Sequence, residues 1–280
     1  MFYAGLLRGK RAPDIKVAQF AGYVGTETEY HHGEASLMGA IIGMAQNFPG
    51  SNNINLLLPN GNFGHRKQLG KDAASPRYIF TNTNKLAFKI FRDEDMPILN
   101  YIVEEGKEVE PENYEPIIPV ILINGTSGIG SGFATDIPPF NPTEVVECLK
   151  SFINEKDYIE LTPYFRGFIG DIEKLDNTKY IMKGKYEIID DDTVHITEIP
   201  ITVSLENYKQ FLTTIEILDK KENDSKKKII DFDMKPYVNK VDITVKFKPT
   251  ELQKLLKTDS LESYLKLNTS ISLTNMHLYN

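Results

Sequence analysis

The sequence predicts an α+β fold with a mostly antiparallel sheet, and three observations lead to that prediction. Apolar residues from Ala35 to Phe48 recur at helical spacing, as they do on the buried side of a helix. Residues 241–247 alternate strictly between apolar and polar, which is typical of a strand with one face in water. Three further strand patterns follow one another between Tyr180 and Ile199, the last two across an Asp-rich turn.

The composition is that of a globular protein of about two domains. The 280 residues are 41% apolar and 25% charged. No stretch approaches the roughly 18 to 20 uncharged apolar residues of a membrane span. Residues 1–20 carry five charged side chains where a signal peptide would have an apolar core. We therefore expect no membrane partner and a cytoplasmic or nuclear location.

Turn and cap signals divide the first half into four elements. Residues 1–7 have a helical pattern, and Asp14 is placed to cap a short helix that runs through Phe20. The amphipathic pattern predicts a longer helix over 35–48. Segments rich in Pro, Gly and Asn flank residues 54–58, which predicts a short strand between two loops.

An acidic stretch marks the expected boundary between two domains. It runs from Glu104 to Glu115 and has prolines at positions 111 and 116, which is typical of a connector. We therefore expect one domain over residues 1–110 and a second over 111–280.

The second domain is predicted to open with a buried strand over 117–123 and a glycine-rich segment over 124–133. A helix should then begin at Asn141, because a cap residue, a proline and Glu144 follow the order of a capping box. Cys148 lies in this helical pattern and is expected in the core. As the single cysteine, it excludes a disulfide framework and a cysteine-ligated zinc site.

The rest of the chain contains strand, helix and loop signals at short spacing. Thr250 and Gln253 form an expected capping pair for one helix. The predicted elements are strands at 180–182, 186–189, 194–199 and 241–247, helices at 205–218 and 251–257, and a solvated charged loop at 219–228.

The charge is distributed unevenly, and the distribution bears on the partner. The net charge of −7 argues at first against a nucleic acid. Between Gly64 and Arg92, however, seven basic residues meet one acid, so this segment carries +6 and the remainder −13. Such segregation attracts a polyanion, although a solvated basic face is the alternative interpretation. The basic residues are Arg66, Lys67, Lys71, Arg77, Lys85, Lys89 and Arg92.

A tyrosine preceded by an arginine lies inside this basic segment, in Ser75-Pro76-Arg77-Tyr78. A neutral phenol with a pKa of about 10 is a poor nucleophile. It becomes useful when cationic neighbours stabilise the phenolate and hold the phosphodiester that it attacks. From these four residues alone, a structural tyrosine with a hydrogen-bonded hydroxyl remains the stronger alternative.

Four neighbouring motifs, in this order, change that balance. They are Tyr30-His31-His32-Gly33-Glu34, Ala45-Gln46-Asn47-Phe48 followed by Gly50-Ser51-Asn52-Asn53, Gly61-Asn62-Phe63-Gly64, and Gly70-Lys71-Asp72 through Arg77-Tyr78-Ile79-Phe80. Together they resemble the winged-helix region of eukaryotic-type type II DNA topoisomerases. The likeness continues through residues 119–125 and Gly128-Ile129-Gly130, and more weakly to the end of the chain.

The resemblance implies a CAP-like winged-helix domain followed by the family's α/β tower, and it implies roles for individual residues. Tyr78 would form a 5′-phosphotyrosyl link, and Arg77 would stabilise the scissile phosphate. His32 matches a histidine near the same phosphate, and Lys16 matches a lysine near the DNA backbone. Ile129 would be a wedge between base pairs that bends the DNA. Arg66, Lys67 and Lys71, as members of the basic segment, are expected to bind DNA.

Several parts of the full enzyme are not in this sequence, so we expect it to be a piece of one. The family holds Mg²⁺ on a Toprim domain and ATP on an ATPase domain, and it dimerises with the help of a coiled coil. Asp190-Asp191-Asp192 is better interpreted as turn chemistry than as a metal site. No metal ligand is assigned here. The glycines at 125–132 fit neither a Walker loop nor a dinucleotide fingerprint.

Duplex DNA is the expected partner, with a homodimer in the full enzyme. The location would be nuclear in a eukaryotic cell, or cytoplasmic or at a viral replication site if the source is viral. One alternative is a catalytically inert module that only binds or bends DNA. An RNA binder of the RRM type would need aromatic-rich strands that the sequence lacks.

Overall fold

Antiparallel pairing joins the named strands in every sheet of the computed structural model. The structure describes residues 1–104, 106–130, 132, 134–157, 159–216 and 227–278. The sheets are small, of two to four strands, and helices lie between them. The predicted α+β class with mostly antiparallel sheet is therefore confirmed. Within those ranges, no helix has the length and apolar character needed to cross a membrane.

Three helices and a two-stranded sheet surround the first core. The sheet pairs Ile15 with Thr81, and Phe20, Ile41 and Ile79 lie in the core. The predicted helices over 1–7 and 35–48 are confirmed with shifted ends. The elements are α1 (Phe2–Arg8), β1 (Ile15–Lys16), α2 (Val17–Glu27), α3 (Glu34–Ala45), β2 (Phe80–Thr81) and α4 (Ala87–Ile90).

Two first-half predictions were wrong. Asp14 caps no helix: α2 begins at Val17, and the Asp14 carboxylate accepts hydrogen bonds from the amides of Asn60 and Asn82. The run 54–58 forms no regular strand; its ladder is reduced to an isolated bridge at Leu57. An apolar run needs a neighbouring strand to complete a ladder, and the backbone of Ile54 pairs instead with a side-chain amide.

The middle of the chain contains two hairpins and two helices. The acidic stretch expected as a connector forms hairpin β3–β4, and the expected strand over 117–123 ends in the short helix α5. The helix that begins after Asn141 is confirmed, because the Asn141 side chain accepts from the Thr143 N–H at 2.9 Å. The elements are β3 (Tyr101–Glu104), β4 (Lys107–Pro111), α5 (Val120–Asn124), β5 (Thr126–Ile129), β6 (Ala134–Ile137) and α6 (Pro142–Ile153).

Cys148 on α6 is half-buried and not a core residue, since its Sγ lies 3.5 Å from the Ile159 carbonyl at the surface. The face of α6 that is buried is the one with Val145. The domain limits 1–110 and 111–280 stay a prediction, and so do the winged-helix and tower assignments.

Two sheets and three helices form the second half. The sheets have the strand orders β11-β12-β10-β9 and β13-β8-β7. The elements are β7 (Asp171–Asp176), β8 (Lys179–Lys183), β9 (Lys185–Ile188), β10 (Thr193–Glu198), α7 (Leu205–Ile215), β11 (Ile229–Met234), β12 (Ile243–Phe247), α8 (Glu251–Lys257), α9 (Leu261–Tyr264) and β13 (Asn268–Ser272).

The predicted strands and helices of this half are confirmed, with one error in a cap. Along β12 the apolar side chains are buried and the polar ones exposed, as the alternation predicted. Helix α8 spans the predicted residues, but Thr250 does not cap it. Its φ of 68° is left-handed, whereas a capping side chain needs an extended backbone. Most of the predicted loop, residues 219–226, lies outside the described residues.

A buried ion pair joins the first half to the second. The Arg66 guanidinium and the Glu198 carboxylate form a hydrogen-bonded pair whose side chains are each 2% exposed. Arg66 also donates to the Ile199 carbonyl at 2.9 Å, and Glu198 accepts from the backbone N–H groups of Ile169 and Ile199. Burying two charges is costly unless each is paired and hydrogen-bonded, and here both conditions are met.

We expect Glu198→Met to lower the free energy of unfolding by about 3–5 kcal/mol, because it leaves the Arg66 charge buried without a partner. The double variant Arg66→Met/Glu198→Met should recover most of that loss, since two apolar side chains of similar volume need no counter-charge. Urea unfolding followed by circular dichroism measures both. A double variant as unstable as the single one would contradict this account.

Candidate functional site

Tyr78 lies exposed at the end of a loop that is anchored on both sides. Its side chain is 66% exposed, while the next residue, Ile79, is buried. The Tyr78 N–H donates to the Ser75 carbonyl at 2.9 Å, which closes a turn. The carbonyls of Pro76 and Ile79 accept from the first N–H groups of α2 at 3.1 and 3.0 Å. The phenol is thus held toward solvent by a fixed backbone.

Arg77 lies against the tyrosine that follows it. The centre of its guanidinium is 4.8 Å from the centroid of the Tyr78 ring, within the range of a cation–π contact. The two residues that sequence analysis paired are therefore together in the structure. Both side chains are exposed, so a large charged substrate can reach them.

Lys16 reaches the same region through the small sheet. Its strand, β1, pairs it with Phe80, two residues after Tyr78. Its Nζ lies 6.0 Å from the centroid of the Phe80 ring, and the side chain is exposed. Lys16 thus adds a positive charge beside the tyrosine loop.

His32 is exposed in the turn before α3, where its ring contacts that of Tyr30 with centroids 5.4 Å apart. The neighbouring His31 Nε2 lies 3.0 Å from the Glu104 carboxylate. Within the described residues, no hydrogen bond, ion pair or ring contact joins His32 to Tyr78. Its role at the phosphate stays a prediction.

The basic loop that precedes Tyr78, residues 64–72, is folded tightly on itself. A Cβ built on Gly64, whose φ is +95°, would lie 2.5 Å from the Gly70 carbonyl oxygen. His65 holds Asp72 through its ring and its backbone N–H, at 2.7 and 2.8 Å. Burial opposes the charged form of Asp72, but these hydrogen bonds outweigh it and lower its pKa. Lys67 and Lys71 are exposed on this loop.

Arg66 is a correction to the predicted set of DNA-binding residues. It is 1% exposed, and its guanidinium is bonded to Glu198 and the Ile199 carbonyl. It cannot meet a phosphate without breaking the buried ion pair. Its neighbours in sequence remain available, because Lys67 and Lys71 point to solvent.

Ile129 is 95% exposed at the end of β5, so it is not a core residue that terminates a strand. The β5–β6 hairpin, which we name the wedge hairpin, is supported from behind by the end of the chain. The Thr135 hydroxyl donates to the His277 carbonyl at 2.7 Å, and the Asp136 N–H donates to the Asn275 carbonyl at 2.8 Å. An isoleucine presented in this way can insert into an apolar gap of a ligand.

The described residues contain no group of three or more His, Cys, Asp or Glu side chains that could hold a metal ion. The Asp190-Asp191-Asp192 run lies between β9 and β10, and the Asp190 carboxylate accepts from the Asp192 N–H at 3.0 Å. This is the side-chain bond of an Asx turn, as the sequence indicated.

Sequence analysis missed a set of amide side chains between the tyrosine loop and the wedge hairpin. Gln46, Asn52 and Asn53 occur in a motif that carried the family resemblance, yet no role was assigned to them. Their only sequence signal is an unusual density of amides beside a glycine. Each of them bonds to backbone groups of distant segments.

Comparison with known proteins identifies relatives along the whole chain. A family model described as DNA gyrase/topoisomerase IV matches residues 1–280. The chain is 36% identical to DNA topoisomerase 2 of Acanthamoeba polyphaga mimivirus, over 100% of this chain and 26% of that protein. It is 44% identical to DNA topoisomerase 2 of Saccharomyces cerevisiae, over 97% of this chain and 19% of that protein.

A solved structure of the Plasmodium falciparum topoisomerase II DNA-binding, cleavage and re-ligation domain is also similar. It superposes with a TM-score of 0.92 at 41% identity, over 99% of this chain and 37% of that one. The chain therefore spans about a fifth to a quarter of the length of the curated relatives it matches.

We expect Gly64→Ala to destabilise the basic loop far more than Gly9→Ala destabilises its own turn. Both glycines have a positive φ, which costs an alanine about 1–2 kcal/mol. The alanine Cβ at position 64 would also overlap the backbone of Gly70, whereas Gly9 has open space. Hydrogen exchange measured by mass spectrometry should show faster exchange over residues 65–78 for Gly64→Ala. Equal protection in the two variants would be evidence against the tight loop.

Proposed function

We propose that this chain, which belongs to the DNA gyrase/topoisomerase IV family, is the part of a type II DNA topoisomerase that breaks and rejoins duplex DNA. The observation that carries the proposal is the exposed Tyr78 with the Arg77 guanidinium over its ring. The surrounding positive charge suits a polyanionic backbone.

In the proposed reaction the Tyr78 hydroxyl attacks the phosphorus of one phosphodiester. A bond forms between the tyrosine oxygen and the 5′ phosphate, the bond to the 3′ oxygen breaks, and that oxygen leaves as a hydroxyl after taking up a proton. One phosphodiester replaces another, so the reverse attack by the 3′ hydroxyl reseals the strand without an energy source. Arg77 stabilises the charge that develops on the phosphoryl oxygens.

The DNA is held and bent by residues outside the reacting pair. Lys16, Lys67 and Lys71 supply exposed positive charges for phosphate groups. His32 lies on an exposed turn where it can contact the same backbone. Ile129 inserts between base pairs, where the cost of unstacking is offset by contacts that the bent duplex gains. This use of Ile129 agrees with its near-complete exposure.

Other steps are assigned to parts of the enzyme beyond these residues. Mg²⁺ would be held by a Toprim domain and ATP by an ATPase domain, since the described residues offer no metal cluster. Cutting both strands needs two tyrosines, so the working form would be a homodimer. Strand passage would follow from the combined domains.

We expect Tyr78→Phe to abolish covalent capture of DNA, because the ring keeps its packing but loses the attacking oxygen. The assay joins the chain to its Toprim partner and uses magnesium with duplexes labelled at the 5′ or the 3′ end. An adduct on the 5′ side should form with the wild type and be absent from the variant.

Binding without an adduct in the wild-type assembly would favour the alternative, a catalytically inert module that only holds or bends DNA. An adduct that survives in Tyr78→Phe would refute the assignment of the nucleophile.

We also expect Lys71→Ala to lower the slope of log K against log salt for duplex binding by about one, because one phosphate contact is lost. Lys257→Ala, an exposed lysine on α8, is the matched control and should leave the slope unchanged. Arg66→Met/Glu198→Met should leave it unchanged as well, since that guanidinium is buried. Fluorescence anisotropy across a salt series measures all four proteins; equal slopes for Lys71→Ala and the wild type would exclude Lys71 as a phosphate contact.

A further inference from the structure

Asn124 joins the base of the wedge hairpin to the first half of the chain. Its side-chain oxygen accepts from the Ile54 N–H at 2.9 Å, and its side-chain nitrogen donates to the Ile54 carbonyl at 2.8 Å. The amide thus acts as a neighbouring strand would, satisfying both backbone groups of one residue. Gly125 follows, and a Cβ there would lie 2.5 Å from the Ile137 carbonyl oxygen. The base of the hairpin therefore has little freedom to shift.

Asn53 binds three segments at once and is 6% exposed. Its nitrogen lies 2.9–3.0 Å from the carbonyls of Ile123, Phe140 and Tyr164, and its oxygen accepts from the Arg166 N–H at 2.8 Å. Buried backbone groups that lose such a partner cost about 1–3 kcal/mol each. Asn53 therefore holds both sides of the hairpin base against the loop at 164–166.

Two more amides continue toward the tyrosine loop. The Asn52 nitrogen donates to the carbonyls of Gly43 and Gln46 at 2.7 and 2.9 Å, and so satisfies free carbonyls at the end of α3. The Gln46 nitrogen donates to the carbonyls of Phe63 and Gly70 at 3.0 and 3.2 Å. The second of these carbonyls belongs to the basic loop that leads to Tyr78.

We infer that Gln46, Asn52, Asn53 and Asn124, which we name the amide chain, are positioning residues that set the wedge hairpin at a fixed distance from the tyrosine loop. The amide chain is neutral, and every one of its bonds goes to backbone, so its geometry follows the fold and not the salt concentration. Where the inference concerns DNA, it rests on the proposed function. A bend made at Ile129 serves cleavage only if the scissile phosphate arrives at Tyr78, and a misplacement of about 1 Å can cost on the order of 100-fold in rate.

Asn124→Asp breaks the chain with almost no change in volume. The carboxylate has no N–H to donate, and it places an oxygen against the Ile54 carbonyl. Asn141→Ala is the matched control, because Asn141 is equally half-buried and also bonds to backbone, but only as the cap of α6. Loss of such a cap costs about 1 kcal/mol. The control therefore measures what destabilisation alone does.

A distance measurement tests the inference without DNA. Spin labels are attached to Lys71→Cys and Ser127→Cys, both at exposed positions, in a Cys148→Ser background that removes the single native cysteine. Pulsed dipolar spectroscopy should give one narrow distance distribution for the parent and for Asn141→Ala. We expect Asn124→Asp to broaden or shift it. An unchanged distribution in Asn124→Asp would overturn the positioning role.

A bending assay then connects the amide chain to the proposed function. A duplex with a fluorophore at each end reports the bend by energy transfer, with Ile129→Ala as the reference. We expect Asn124→Asp to lose as much of the bend as Ile129→Ala while duplex affinity changes by no more than about twofold, since phosphate contacts supply most of it. The double variant should lose no more than either single one.

The outcomes separate the two claims. If Ile129→Ala bends DNA like the wild type, the wedge assignment fails, and the distance measurement alone decides the amide chain. If Ile129→Ala loses the bend but Asn124→Asp keeps it, the amide chain does not position the wedge.

Discussion

The buried pair of Arg66 and Glu198 is the constraint around which the two halves are arranged. Neither charge can be exposed without opening the junction, and neither can remain buried without the other. The pair therefore fixes the start of the basic loop against the end of β10. The lysines of that loop reach solvent because the arginine among them does not. One residue of the basic segment has a structural role, so its neighbours can have a functional one.

Sequence reasoning succeeded where the signal is local and failed where it is not. The alternation in β12 and the cap at Asn141 act over a few residues, so both were predictable. The fate of Arg66 depends on a carboxylate 132 residues away, and nothing in its neighbourhood distinguishes it from Lys67. The apolar run at 54–58 failed for the same reason, since the amide that bonds Ile54 lies 70 residues further on. For the site, pairing Arg77 with Tyr78 needed only adjacency, whereas the amide chain emerges only from tertiary contacts.

The proposed site is an exposed surface and not a cavity, which agrees with a substrate as large as a duplex. Tyr78 and Ile129 are both open to solvent, although large apolar and aromatic side chains usually bury most of their area. Their exposure is sustained by rigid backbone beneath each of them. A flexible tyrosine loop would spend binding free energy on ordering itself, and an anchored one does not.

The wedge hairpin is local in sequence, yet its supports are remote. Ile54 lies 70 residues before Asn124, and the carbonyl of Asn275 lies 140 residues after Thr135. Contacts over such separations close late, because the entropy of long loops opposes them. The hairpin should therefore be among the last parts of the chain to become ordered during synthesis. A peptide cut from residues 124–139 would contain every residue of the hairpin and neither of its supports, so the hairpin cannot be transplanted as an independent unit.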